Sequence, residues 1–319
     1  MLILIISISK INQRFPNHTH NCTWDNLSEK RANFTFYIIT IKEYMAKKKI
    51  LIITQEMNPY TAISEISEIA RRLPQYVQQK GMEIRVLMPK FGTINERRHR
   101  LHEVVRLSGM NIIVDDDDFP LIIKVASLPG ARMQVYFLDN EDFFRRKSVF
   151  TDDEGQAFDD NEDRMVFFCK GAIETVKKFG WPPDIIHCHG WMTSLVPLYI
   201  KKAYKNEPLF RDSKVIYSMY ENPLTENFSE NFFAKASINA LNEGDLEAYK
   251  TDGKIIVDRG AATFADGVIV GSESINESVT ETLAGLETPI LEYPGAEKEA
   301  YLPAYLEFFK SFLEQKEEA

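Results

Sequence analysis

The residues best suited to chemistry in this sequence stand in short polar stretches, each directly behind an apolar run: Thr54-Gln55-Glu56, His187-Cys188-His189-Gly190-Trp191, Met219-Tyr220-Glu221 and Gly271-Ser272-Glu273. His187 and His189 are two residues apart, so on a strand both imidazoles share one face and could form half of a zinc site. No third ligand stands at a suitable spacing, so no metal is expected. The pair reads instead as a buried His187 satisfied by backbone and a His189 facing a cleft. Trp191 is either a core side chain or a platform for a sugar ring, and Ser272 stands where a helix N-cap would. Asp115-Asp116-Asp117-Asp118 could attract a cation, but neighbouring side chains on an extended chain point apart, which favours a solvated turn. There is no Gly-x-Gly fingerprint and no Gly-x-x-x-x-Gly-Lys phosphate loop, so no cofactor is expected on a backbone cradle.

The elements that must position these stretches alternate along the chain. Behind Met45-Ala46-Lys47-Lys48-Lys49, the run Ile50 to Ile53 reads as a buried first strand. Ile63, Ile66, Ile69, Ala70, Leu73 and Val77 then recur at helical spacing, with Gly81 as a stop before a strand at Ile84 to Met88. Val104 to Val114 and Leu121 to Ala126 read as a hairpin around the aspartates, followed by a strand at Met133 to Leu138. Next come a helix over 161–179, a strand at Asp184 to Cys188, a helix from Met192 to Tyr204 and a strand at Lys214 to Ser218. A mostly helical stretch runs to Phe264, then a strand from Gly267 to Gly271. A last helix carries Leu302, Tyr305, Leu306, Phe309, Phe312 and Leu313 on one face. The alternation predicts an α/β fold: a doubly wound, mostly parallel, Rossmann-like sheet with helices on both faces. Ligands on such sheets bind beyond the carboxyl ends of the strands, where the polar stretches stand.

Composition narrows the classes. Lys plus Arg number 38 against 47 Asp plus Glu, a net charge of −9, which argues against a nucleic-acid partner because phosphate binding relies on clustered basic surface. Cys22, Cys169 and Cys188 are too few for a disulfide framework, so a cytoplasmic setting is expected. No apolar run approaches the roughly 18–20 residues of a spanning helix, and no membrane association is expected. Residues 1–44 show no assignable period and lack the basic leader and cleavage site of a secretory signal. They are expected to be an extension to a domain of residues 45–319 that begins at or near Met45.

Taken in order, several stretches resemble the starch and glycogen synthase family. They are Glu56-Met57-Asn58-Pro59, Leu73-Pro74, Tyr136-Phe137-Leu138-Asp139, Asp160-Asn161-Glu162-Asp163-Arg164, Pro183 to Trp191, Leu195-Val196-Pro197, Arg259-Gly260-Ala261 and Ala265-Asp266. The resemblance runs from Lys49 to about Leu283. It implies the N-terminal, acceptor-side half of a GT-B glycosyltransferase, whose two domains face each other across a cleft. Family members move glucose from ADP-glucose, or UDP-glucose in some branches, to the 4-hydroxyl end of an α-1,4-glucan with retention of configuration. By the same resemblance Glu56, Asn58, His189 and Trp191 would line a sugar site for an α-1,4-glucan or maltooligosaccharide, Glu56 and His189 being its candidate sugar-contacting pair.

The departures from the pattern are specific. Family members carry Lys-x-Gly-Gly-Leu after the first strand, where lysine and glycine backbone approach the donor phosphates; this chain has Ala62-Ile63-Ser64-Glu65-Ile66. His-Asp-Trp becomes His189-Gly190-Trp191, His-Asn becomes Met219-Tyr220, and Ser-Pro-Thr-Tyr becomes Ser272-Glu273-Ser274-Ile275. The sequence ends where the resemblance places the family's second domain, so that domain's donor-binding lysine, arginine and glutamate are not expected from this chain. The expected role is a glucan-binding or regulatory protein that does not turn over donor by itself. The alternative is an active ADP-glucose or UDP-glucose glucosyltransferase completed by a partner chain or a second copy.

Overall fold

The computed structural model describes residues 47–318 except 223, 225–227, 230, 239–240, 242 and 296–298. The chain divides after Lys47, and the expectations for residues 1–44 and for a start at Met45 lie outside the described residues. β1 (Lys49–Thr54) is buried from Ile50 onward, as a run apolar on both faces must be between parallel neighbours. α1 (Ile66–Gln79) buries Ile66, Ile69, Ala70, Leu73 and Val77 at helical spacing and continues through Pro74. Ile63, expected on that stripe, precedes the helix and is 50% exposed. β2 (Glu83–Pro89) then returns parallel to β1.

The next strands are β3 (His102–Glu103), β4 (Met110–Val114), β5 (Asp117–Ser127) and β6 (Gln134–Asp139). The hairpin is shorter in its first arm than expected, and its register pairs Val114 with Asp117. Asp115 and Asp116 therefore make the turn, while Asp117 and Asp118 enter the strand. Asp115 adopts a left-handed φ of 57°, a region that aspartate enters more readily than most residues.

α2 (Asn161–Phe179) is buried around nearly its whole circumference at Met165 to Cys169, and β7 (Ile185–His189) follows, shifted one residue on from the expected Asp184 to Cys188. The single helix expected over Met192 to Tyr204 is broken into a 3₁₀ turn at Trp191–Thr193, an α-turn at Leu195–Leu198 and a π-turn at Tyr199–Ala203. Pro197, which has no N–H to give, stands within the α-turn of this broken segment, whereas Pro74 sits inside the continuous α1. After β8 (Lys214–Met219), the described residues of the expected mostly helical stretch to Phe264 hold helices at Phe232–Ala236 and Glu243–Leu246, a 3₁₀ turn at Glu247–Tyr249 and the helix Val257–Phe264, together with a hairpin of β9 (Lys250–Thr251) and β10 (Lys254–Ile255). The chain closes with α3 (Val257–Phe264), β11 (Gly267–Val270), α4 (Glu277–Ala284), β12 (Ile290–Leu291) and α5 (Tyr301–Glu318).

The main sheet runs β12-β11-β8-β7-β1-β2-β6-β5-β3, with β4 added to β5. It is parallel from β12 to β6, and the doubly wound expectation holds. The strand order reverses between β1 and β7: the chain moves outward one way through β2 and the other way through β8 and β11. Right-handed crossovers place the helices of the two directions on opposite faces. The face of β7, β8 and β11 on the α1 side therefore receives no crossover helix, and α5 covers it. Tyr305 and Phe309 of α5 lie against the His187 ring, with centroids 5.8 and 5.1 Å away. Among the described residues no helix is long and apolar enough to cross a membrane, and no group of three or more His, Cys, Asp or Glu could hold a metal ion.

Candidate functional site

At the reversal point, Thr54 of β1 pairs in register with His189 of β7, and His189 with Ser218 of β8. This is the position where open α/β sheets form a crevice. Glu56 and His189 are thus brought to the same edge of the sheet, but both side chains are fully buried.

Glu56 is consumed by its own loop. The N–H groups of Ile63 and Ser64 donate to its Oε2 at 2.5 and 3.0 Å, and the Ser64 hydroxyl donates to Oε1 at 2.6 Å. Burial raises its pKa, against the lowering effect of these same hydrogen bonds. Glu65, on the same loop, also has a raised pKa, from burial first and then from the charges of Glu221 and Glu56. The loop amides ahead of α1 are the kind of group that otherwise binds a phosphate, and here an internal carboxylate takes them.

His189 does not face an open cleft. Its Nδ1 lies 2.9 Å from the Tyr220 hydroxyl, and the two rings are nearly parallel, at 27°. Tyr220 lies against the end of β11 because residue 271 is glycine; a Cβ there would stand 2.3 Å from the tyrosine ring. The Tyr220 hydroxyl is also hydrogen-bonded to Tyr305 of α5. His187 is not satisfied by backbone as expected: its Nε2 lies 2.7 Å from Ser218 Oγ. The two imidazoles pack at 3.9 Å, and His187 Nδ1 and His189 Nε2 have no hydrogen-bond partner among the described residues. Burial holds both rings neutral, pushing His189 down to about 3 and His187 well below its ordinary value with a further contribution from His189. In this arrangement both rings are neutral and can accept or donate hydrogen bonds.

The remaining expected residues make contacts within the fold. Asn58 donates from Nδ2 to Glu68 at 2.9 Å, tying the loop to α1. Trp191 is buried, its ring edge-on to Phe150 and Phe228. Ser272 caps no helix; it accepts the Glu221 N–H at 3.2 Å and donates to the Ser274 carbonyl at 2.6 Å. Gly190 has φ +80°, and a Cβ there would lie 2.4 Å from Gln55 Oε1. Gln55 fills the space that an aspartate at 190 would need. Gln55 and Tyr220 stand in the polar stretches behind β1 and β8, but nothing in the sequence assigns them these contacts. Periodicity marks Tyr305 as core without indicating that its hydroxyl reaches a histidine network.

The motif at the start of α2 is a structural clamp. Arg164 is buried and donates to the carbonyls of Phe143 and Val149 at 2.8 and 2.6 Å and to Asn161 Oδ1 at 2.8 Å; burial pushes its pKa down to about 10. Glu162, also buried, accepts the Ser229 N–H and hydroxyl.

The profile of a family described as starch synthase catalytic domain matches residues 49–290. A glycogen synthase of Chlorobium limicola is 33% identical over 261 residues, covering 75% of this chain and 53% of that protein. One from Pelodictyon phaeoclathratiforme is 40% identical over 173 residues, covering 54% of this chain and 35% of that protein. The chain thus spans between a third and about half of the length of these relatives. Among solved structures, the catalytic domain of starch synthase IV from Arabidopsis thaliana, bound to ADP and acarbose, superposes with a TM-score of 0.66 at 18% identity, covering 78% of this chain and 51% of that one.

Proposed function

Since the chain belongs to the starch and glycogen synthase family, we propose that it serves α-1,4-glucan metabolism as a glucan-binding or regulatory member and does not handle a nucleotide-sugar donor by itself. One observation carries the reading: the Glu56 carboxylate occupies the amides of Ile63 and Ser64, in the loop that stands in place of the family's phosphate-approaching segment. A diphosphate brought to this loop would have to displace that carboxylate and would meet Glu65 as well. Each like-charge pair at about 4 Å costs about 4 kcal/mol at an effective dielectric near 20. Glucosyl transfer depends on preorganised groups that stabilise the departing diphosphate, and the Ala62 to Ile66 loop supplies charge of the opposite kind.

The test is incorporation of radiolabelled ADP-glucose into glycogen by the purified chain, with His189→Ala as background, beside co-sedimentation of the chain with glycogen. Binding without incorporation is the expected result; turnover well above background would overturn it. The retained His189 favours a second reading, in which transfer is completed by a partner chain or a second copy. The same assay on complexes recovered from native extract with the tagged chain decides between them.

A further inference from the structure

At the end of the sheet opposite the crevice, where β2 and β6 begin and β5 stops, lies a cavity of about 380 Å³, lined among others by Gln78, Arg85, Ser127, Arg132, Gln134 and Tyr136. We infer that this cavity is a binding site for a small phosphomonoester, its phosphate group held by Arg85 and Arg132 and its hydroxylated body by the neutral polar side chains beside them. The inference does not depend on the glucan-binding reading, and its ligand is neither a glucan nor a nucleotide sugar.

The cavity is built from two sides. On the sheet, Val86 pairs with Val135 and Ser127 with Gln134, so Ser127, Gln134 and Arg85 stand in one row across β5, β6 and β2 with their side chains on the same face. The Tyr136 hydroxyl donates to Gln134 Oε1 at 3.1 Å, which leaves the amide nitrogen of Gln134 as a donor. On the other side, the turn between β5 and β6 is strapped to α1. Arg71, Gln75 and Gln78, spaced to share one stripe of that helix, donate to the carbonyls of Pro129, Gly130 and Arg132 at 3.0, 3.4 and 3.2 Å. These bonds hold the backbone of Arg132 beside the cavity.

Charge selects the ligand class. Neither arginine has a side-chain hydrogen bond or ion pair among the described residues, and no described residue of the lining is acidic. On a chain of net charge −9, this cavity therefore carries two positive charges without a carboxylate to answer them. Arg85 is also braced: its guanidinium carbon lies 4.6 and 4.7 Å from the ring centroids of Phe179 and Trp181. Stacking of this kind engages the faces of a guanidinium and leaves the N–H groups on its rim for an oxyanion. Glu83, two residues earlier on the same face of β2, lies outside the lining and accepts the Trp181 indole N–H at 2.7 Å. A phosphomonoester carries a charge of about −1.5 to −2 at pH 7 and three acceptor oxygens, a better match to two guanidinium groups than a single carboxylate. The volume falls within the roughly 300–1,000 Å³ of small-molecule pockets, so the cavity has room for more than a bare phosphate. Ser127 and Gln134 supply hydrogen bonds for the hydroxylated remainder.

Isothermal titration calorimetry of the full chain with ribose 5-phosphate, inorganic phosphate and citrate tests the assignment, using Arg132→Gln and Gln134→Glu as variants. Both side chains are exposed, and a carboxylate at position 134 still accepts the Tyr136 hydroxyl, so both variants should keep the wild-type melting temperature. Ribose 5-phosphate is expected to bind with a dissociation constant of roughly 0.1–1 mM, weakened about tenfold or more in each variant and weakened again by added salt. Inorganic phosphate should bind at least about fivefold more weakly than ribose 5-phosphate, as expected if the body of the ligand is held as well as its charge. Ribose 5-phosphate that does not bind, or that binds equally well to both variants, overturns the assignment. Inorganic phosphate binding as tightly as ribose 5-phosphate makes the occupant free phosphate, and citrate binding more tightly makes it a carboxylate; either result overturns the phosphomonoester. None of these titrations contains glycogen, so their failure leaves the glucan-binding reading standing.

Discussion

At the start of α2, the stretch Asp160 to Arg164 keeps the family pattern, and its buried arginine and glutamate are spent on main-chain carbonyls and on Ser229. Behind β1, the stretch Ala62 to Ile66 departs from the pattern, and its amides are spent on Glu56. Both regions are self-satisfied, but for opposite reasons. The first is a clamp whose loss would leave buried carbonyls without donors. The second lies where a ligand would otherwise supply the hydrogen bonds, and the protein supplies them itself.

The contrast can be broken by substitution, beginning with the clamp. Arg164→Met should destabilise the protein by about 3–5 kcal/mol, since it strips donors from two buried carbonyls; urea unfolding measures this, and a loss below about 1 kcal/mol would remove the distinction. Gly190→Ala should cost about 2–4 kcal/mol, part from the backbone conformation and part from the Gln55 clash. Adding Gln55→Ser should recover only the steric part, and a double-mutant cycle separates the two.

Acid should sharpen the comparison at the strand end. The unfolded chain protonates His189 near its ordinary 6.5 and the folded chain only near 3, so between these values the unfolded state holds more protons. Stability contributed by the buried neutral ring is present above that window and is lost as pH falls through it, at about 1.4 kcal/mol per pH unit for each such histidine. Urea titrations at about pH 7 and about pH 5 should show a slope smaller by that amount in His189→Gln; equal slopes would show that the ring is not held neutral. The smallest effect is expected for Glu56→Gln. Replacing one acceptor oxygen with an amide on a loop that borders solvent should cost about 1–2 kcal/mol, read as a fall in melting temperature of a few degrees.

Much of the scaffold was legible because burial is written in apolar spacing. The runs at Ile50 to Ile53 and Ile185 to Ile186 became central strands, the stripe from Ile66 to Val77 became α1, and the crevice rule led to Glu56 and His189. What periodicity does not encode is the direction taken by a side chain at a strand end. Whether Tyr220 turns outward or lies back over His189 depends on the missing Cβ of Gly271 and on a hydroxyl from a helix 80 or so residues further along. Likewise, Leu195 to Tyr199 is as apolar as a regular helix, and its spacing does not show the change from α-turn to π-turn at Tyr199.

The covering of β7, β8 and β11 by α5 has a consequence for how the protein is made. Those strands leave the ribosome well before residues 301–313, whose aromatic side chains complete their second face. At about 5–20 residues per second, β7 waits on the order of ten seconds for Tyr305 and Phe309 to be synthesised. During that interval the face of these three strands is apolar and wet, and the nascent chain is at its most adhesive when most of its strands already exist.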